Sequence, residues 1–259
     1  MPRHVIEEEI EIRTADGTAD GFLFRPEGGD RWPGVMHLSD IGGIRPSHCD
    51  IARRLAADGY TVLLPNVFYR TGRPPLFDFT PQYPFQGDER TSKRFIELAR
   101  PLTPDAMVRD GLDYARFLAS HDSVSEGAMG IFGYSVTGSM TLRTVAAWPD
   151  KFASAAIFHA GGLCNDAAMS PHLLLPCIRA RLYFGHAVHD HMMREEAIEK
   201  LDFALAAWGG SYESEVYEGA YHGWTVTDSP LYNERQAERA FEKLRGLFAL
   251  TLKRPKDGL

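Results

Sequence analysis

Apolar and polar positions alternate with a two-residue period near the start of the chain, where Ile10 and Ile12 stand between charged neighbours in residues 5–13. With residues 21–25 beyond a turn at Asp16 and Gly17, this pattern predicts an antiparallel hairpin. Short continuous apolar runs follow, at 34–38 behind Pro33 and at 60–64 before Pro65. Runs of that length predict strands buried on both faces. Between them Ser47 reads as a helix cap with Asp50 three residues on, Ile51 and Leu55 share a face, and Gly59 closes the helix. Strand, helix and strand within about thirty residues make a βαβ unit, so the sheet is expected to be mainly parallel.

Residues 71–102 interrupt this rhythm. They hold Pro74, Pro75, Pro81 and Pro84 among Phe77, Phe79, Tyr83 and Phe85, followed by a charged stretch at 88–94. Such an excursion either packs its aromatics on the domain or forms a partial lid over a pocket. The alternation then resumes. Thr103 and Pro104 open a helix with Val108, Leu112 and Ala115 on one side. Strands are expected at 128–132, 153–158, 181–184 and 212–217, and a helix at 136–148. Ile198, Leu201, Leu205 and Trp208 mark another helix, closed by Gly209 and Gly210, and Ala237, Phe241, Leu244 and Phe248 mark the last. The whole of 1–259 is expected to form one α/β domain, a mostly parallel central sheet with helices on both faces.

Composition narrows the function. With 259 residues, 44% hydrophobic and 24% charged, the chain has an ordinary globular make-up, which excludes a disordered or collagenous protein. A net charge of −7 without a basic run argues against nucleic acid as a partner. The apolar runs at 153–158 and 173–176 fall far short of the roughly 20 residues of a membrane span. Glu7, Glu8 and Glu9 stand where a signal peptide would need basic and then apolar residues. Cys49, Cys164 and Cys177 form no C-x-x-C pair. They suit small buried thiols in a reducing cytoplasm, which is the expected location. Self-association into a homo-oligomer is left open.

The most informative segment is Gly133-x-Ser135, where an expected strand runs straight into an expected helix. So sharp a turn strains the serine backbone and lifts its hydroxyl clear of the sheet edge. Thr137 stands where the usual G-x-S-x-G pattern has its last glycine, with Gly138 after it, which predicts a less tight turn. The free N–H of Val136 at the helix start is a candidate oxyanion donor. Ile41, in the glycine-rich loop 39–43, is the candidate for the second. A serine nucleophile needs a base. His222, between Gly219 and Gly223 after the last strand, lies at the sheet edge where open α/β proteins place their sites. Asp190 follows the strand at 181–184 and would complete the chain order serine, acid, histidine; Asp166 competes with it. The run His186, His189, Asp190, His191 also invites a metal reading, but no second ligand cluster accompanies it, and no metal or cofactor is expected. Asp40 either shapes its loop or places a charge near the nucleophile. Tyr69, Arg70, Tyr134 and Trp224 are candidate pocket walls, Arg70 for an anionic group.

Together these segments resemble the dienelactone hydrolases, a family of the α/β-hydrolase fold, over roughly residues 33–248. The resemblance rests on Ser39, Asp40, Ile41, Gly42 and Gly43, on Asp58 to Val62 with Pro65, on Gly133, Tyr134 and Ser135, on Asp190 and His191, and on the stretch from Tyr217 to Gly223. It implies a Cys or Ser nucleophile with Asp and His, no metal, and hydrolysis of a small-molecule ester or lactone. The best-known members carry Cys at the position of Ser135 and Gly at that of Thr137, so their substrate preference is not carried over. A non-catalytic binding protein on the same fold, and acyl transfer to an acceptor other than water, are the alternatives.

Overall fold

The computed structural model describes residues 3–79, 81 and 88–252. Pro84, Tyr83 and Phe85 of the excursion lie outside them.

The hairpin forms as β1 (Val5–Thr14) and β2 (Gly17–Pro26), in register from Val5 opposite Pro26 to Thr14 opposite Gly17. Next come β3 (Gly34–Leu38), α1 (Pro46–Ala57) and β4 (Thr61–Pro65). The excursion contains a helix that its composition does not announce, α2 (Glu89–Ala99), capped by the Asp88 carboxylate on the Arg90 N–H. After it follow α3 (Pro104–Ser120), β5 (Met129–Tyr134), α4 (Val136–Ala147), β6 (Phe152–Phe158), β7 (Arg181–His189), α5 (Glu195–Trp208), β8 (Tyr212–Tyr221) and α6 (Glu234–Thr251). The apolar run at 173–176 lies in a 3-10 turn, Pro171–Cys177.

The sheet has eight strands in the order β1-β2-β4-β3-β5-β6-β7-β8. β1, β2 and β4 pair antiparallel, and every pairing from β4 through β3 to β8 is parallel. Alternate residues of the parallel strands feed two cores, one on each face. Met36, Ile131, Ile157 and Leu182 pack with Tyr114, Met140 and Leu201 of α3, α4 and α5. Val35, Phe132, Phe158 and Tyr183 pack with Leu55 and Phe248 of α1 and α6. This is the layering that a βαβ chain reaches because each helix must bury its apolar stripe. Among the described residues no helix is long and apolar enough to cross a membrane.

Several local expectations change. Arg45 caps α1 by position, without a side-chain bond; Pro46 begins the helix, and Ser47 Oγ donates to Asp228 instead. A proline at the first helical position already has the right φ and no N–H to satisfy. On α3 the buried face is Met107, Asp110, Tyr114 and Leu118, and Val108 and Leu112 are only half-buried. β7 and β8 outrun their predicted ends by pairing onward with each other past a bulge, as far as His189 opposite Tyr221. The three thiols are free, and Cys177 is exposed at the end of its turn, not buried.

Candidate active site

The strand order reverses around β3, because the chain goes from β3 to β4 on one side and then to β5 on the other. Loops leaving β3 and β5 therefore diverge and open a crevice above the carboxyl ends of the strands. Ser135 is the single residue between β5 and α4, at φ 51° and ψ −121°. For a non-glycine residue such a conformation costs on the order of 1–3 kcal/mol and persists only where the surroundings enforce it. Here the Ser135 N–H donates to Phe158 O at 3.1 Å, and the Gly138 N–H donates to Ser135 O at 3.1 Å.

Thr137, where the expectation is a less tight turn, bonds across it. Its Oγ1 accepts the Tyr134 N–H at 3.0 Å and points its proton toward Tyr134 O and Leu38 O, at 2.9 and 3.1 Å. The hydroxyl thus ties the ends of β3 and β5 together. The close approach to the next strand falls on Gly138, where a Cβ would overlap Ala160 and Ile157.

His189 and Tyr221 are register partners, so the residues that follow them emerge side by side. These are Asp190 and His222. His222 Nδ1 lies 2.7 Å from Asp190 Oδ2, and His222 Nε2 lies 2.9 Å from Ser135 Oγ. Asp190 Oδ1 accepts the Met192 N–H at 2.8 Å. Burial of Asp190 opposes its ionisation, but the hydrogen bond and charge of His222 and the Met192 N–H outweigh it and hold the carboxyl below its ordinary range. With a carboxylate accepting at Nδ1, the ring carries its proton there and presents a lone pair at Nε2 to the serine. Asp166 is exposed, on the loop that leaves β6.

Ser135 and His222 open into a cavity of about 890 Å³, which Ile41, Val136 and Asp40 also line. Among the described residues no acceptor within the chain takes the N–H of Ile41 or Val136, so both amides are free to meet a ligand oxygen. Asp40 shapes the loop that presents Ile41. Its Oδ1 accepts the Gly42 N–H at 2.8 Å, and both carboxylate oxygens take Arg45, at 2.6 and 2.8 Å. Burial opposes its charge, and Arg45 and His48 more than compensate, keeping it well below the usual carboxylate range. From the excursion, Pro75, Leu76, Phe77, Phe95 and Ala99 supply an apolar wall.

Four expected wall residues are elsewhere. Arg70 is committed to Asp110 and Asp16, at 2.6 Å each, and the Tyr69 hydroxyl bonds Thr14 and Asp110. Tyr134 and Trp224 are buried in the core, Tyr134 stacked on Phe158 and Trp224 against Tyr217 and His159. In each case the aromatic or charged side chain finds a partner inside the fold first. Conversely, His159 and Arg45 line the cavity although no motif marks them. His159 follows β6 directly at φ 39°, its ring edge-on to that of His222 at 5.1 Å and its Nε2 2.8 Å from Thr225 Oγ1. Burial, helped by the neighbouring His222, pushes its pKa down to about 3, so it stays uncharged. Only its place at the carboxyl end of an apolar run could have drawn attention to it. The histidines of the supposed metal run diverge: His186 is buried on β7, His189 lies against Tyr221, and His191 faces the cavity. Among the described residues no three His, Cys, Asp or Glu side chains converge as metal ligands.

A mostly parallel sheet with a strained serine between strand and helix at its switch point defines the α/β-hydrolase class. The dienelactone hydrolase family model matches residues 19–252, and the chain belongs to that family. A Salmonella typhi protein named "Putative carboxymethylenebutenolidase" is 25% identical over 233 residues, covering 88% of this chain and 81% of its own. The carboxymethylenebutenolidase of Rhodococcus opacus is 25% identical over 193 residues, 73% of this chain and 69% of its own. Among solved structures, a "Putative Dienelactone Hydrolase" of Klebsiella pneumoniae superposes with a TM-score of 0.83 over 95% of this chain and 99% of its own, at 21% identity. That likeness bears on the fold.

Proposed function

We propose that this member of the family is a serine hydrolase that cleaves a carboxylic ester or lactone through an acyl-enzyme. The observation that carries the reading is the unbroken hydrogen-bond chain from Ser135 Oγ through His222 to Asp190, opening on a cavity beside two uncommitted amides. Ser135 Oγ attacks the carbonyl carbon as His222 Nε2 takes its proton. The carbonyl oxygen, now negative, accepts the N–H groups of Ile41 and Val136. The intermediate collapses, the acyl–oxygen bond breaks, and His222 returns the proton to the departing alkoxide. In a lactone the alcohol stays tethered to the acyl group. Water then gives its proton to His222, attacks the acyl carbon, and the acid leaves as Ser135 is restored. Asp190 keeps the imidazole oriented and stabilises its cationic form.

Ser135→Ala is expected to lower kcat on an activated short-chain ester by about 10³-fold or more. A fluorophosphonate should label the native chain at Ser135 and leave the variant unmarked. Full activity in the purified variant defeats the assignment, and a native chain with neither labelling nor turnover is a binding protein on a hydrolase fold. Acyl transfer would show as ester formation when an alcohol is added.

A further inference from the structure

We infer, given the hydrolase reading above, that the cavity selects an uncharged, apolar ester and rejects substrates that carry a carboxylate. Arg45 is the only arginine or lysine among the described residues that line it. Two aspartates hold that guanidinium. Its Nη1 and Nη2 donate to the two oxygens of Asp40, its Nε donates to Asp228 Oδ2 at 2.8 Å, and Nη1 also reaches Gly43 O at 3.1 Å. These four bonds leave at most one of the guanidinium's five N–H groups unused. A substrate carboxylate therefore finds no bidentate fork to bind.

The charge balance points the same way. Asp40 and Asp228 both line the cavity, so one cation faces two anions and the polar corner is net negative. Its walls are held apolar by Ile44, Leu76, Phe77, Phe95, Val136 and Met192. Burying a carboxylate among such groups costs hydration, and although His191, Thr227 and Ser229 also line the cavity, none of them is a fixed cation. The excursion and the segment before it add no arginine to the described lining: Arg70 is tied to Asp110 and Asp16, Arg73 to Glu11, Arg90 to Asp78 and Arg94 to Leu76 O and Glu97, and Arg100, exposed after Ala99, does not line the cavity. Like-charge contact is how a site turns a competitor away.

The test compares 4-carbamoylphenyl acetate with 4-carboxyphenyl acetate, which match in shape and differ in one charge. Each kcat/KM is divided by the substrate's hydroxide-catalysed rate, at pH 8, above the ordinary imidazole range. The neutral ester is expected to be favoured about tenfold or more. Asp228→Asn removes one of the two anions, and the preference should shrink about threefold or more. The variant's ratio is read within one protein, so a general loss of activity cancels. Equal or better turnover of the carboxylate overturns the inference alone, as does fluorophosphonate labelling of Ser135 without turnover of the neutral ester. An unchanged ratio in Asp228→Asn overturns its assignment to the aspartates. Absence of both labelling and turnover overturns the hydrolase reading, and the selectivity with it.

Discussion

Asp110 on α3 and Asp190 behind β7 both have side chains closed to solvent, and a nitrogen base on a neighbouring segment binds each. Asp110 meets Arg70 through two N–H groups, at 2.6 and 2.8 Å, with the Tyr69 hydroxyl also 3.2 Å away. Asp190 meets one nitrogen of His222 at 2.7 Å, and the other nitrogen of that ring points into the cavity. A guanidinium keeps its charge at every pH a protein survives, so the first pair can only hold α3, the segment after β4 and, through Asp16, the β1–β2 turn together. An imidazole has a second ring nitrogen with a lone pair that can take up a proton and give it back, so the second pair is built to pass one on. Burial alone therefore does not tell the two carboxylates apart. What separates the two is the partner's chemistry and the open space on its far side.

The largest expected effect breaks this comparison at Asp190. In Asp190→Asn the carboxamide no longer enforces the proton at Nδ1, and the ring can present N–H to the serine. Turnover should fall about 10³- to 10⁴-fold with the fold intact. Circular dichroism and a urea melt alongside kcat check it. A loss under tenfold would mean that Asp190 orients nothing that matters.

The next change breaks the other half. Asp110→Asn leaves a buried amide against Arg70, which keeps Asp16 and some contact with water. Removing one member of a buried pair costs about 3 kcal/mol here, at the lower end because Arg70 is not fully enclosed. Urea unfolding should show that loss, with kcat on an ester altered by no more than about threefold. A large fall in kcat without a loss of stability would put Asp110 in the reaction and erase the contrast.

The sequence distinguishes these two aspartates only in part. Asp190 was legible because it follows a strand in the middle of a known chain order, and Ser135 because a strand meets a helix there without a loop. The parallel strands were legible for a similar reason: burial on both faces leaves short continuous apolar runs such as Gly34–Leu38. Arg70 was misread because an arginine's partner is set by tertiary contact, and Asp110 lies forty positions away on a helix whose buried face includes a charge. Tyr134 and Trp224 were misread because an aromatic beside a motif is as able to face the core as the cavity. His159 and Arg45 escaped because they reach the site from different strand ends, and only the sheet order brings those ends together. α2 escaped because prolines before it suggest irregular chain, while its own residues, from Glu89 on, carry a helix with few buried positions.

A third buried group sharpens the contrast with the smallest effect. His186 on β7 lies between the paired cases: it is buried, its Nε2 has no hydrogen-bond partner among the described residues, and its ring stacks on Phe184. Burial, only partly opposed by Asp202 and Asp190, lowers its pKa from the ordinary 6.5 to about 4. The unfolded chain therefore binds a proton at this residue between those pH values and the folded chain does not. Stability from this group is complete above about pH 6.5 and is lost as the pH falls toward 4, at about 1.4 kcal/mol per pH unit. At pH 5 the accumulated loss is about 2 kcal/mol, since most of the interval has been crossed. His186→Phe keeps an aromatic ring, slightly larger, and has nothing to protonate; any packing cost is the same at both pH values, so the difference in unfolding free energy between pH 7 and pH 5 should shrink by about that amount. Urea melts of both proteins at the two pH values measure it. If the variant loses as much stability as the native chain on acidification, then His186 is protonated in the folded state. It would then have found a partner after all, and burial without a partner would cease to distinguish it from Asp110 and Asp190.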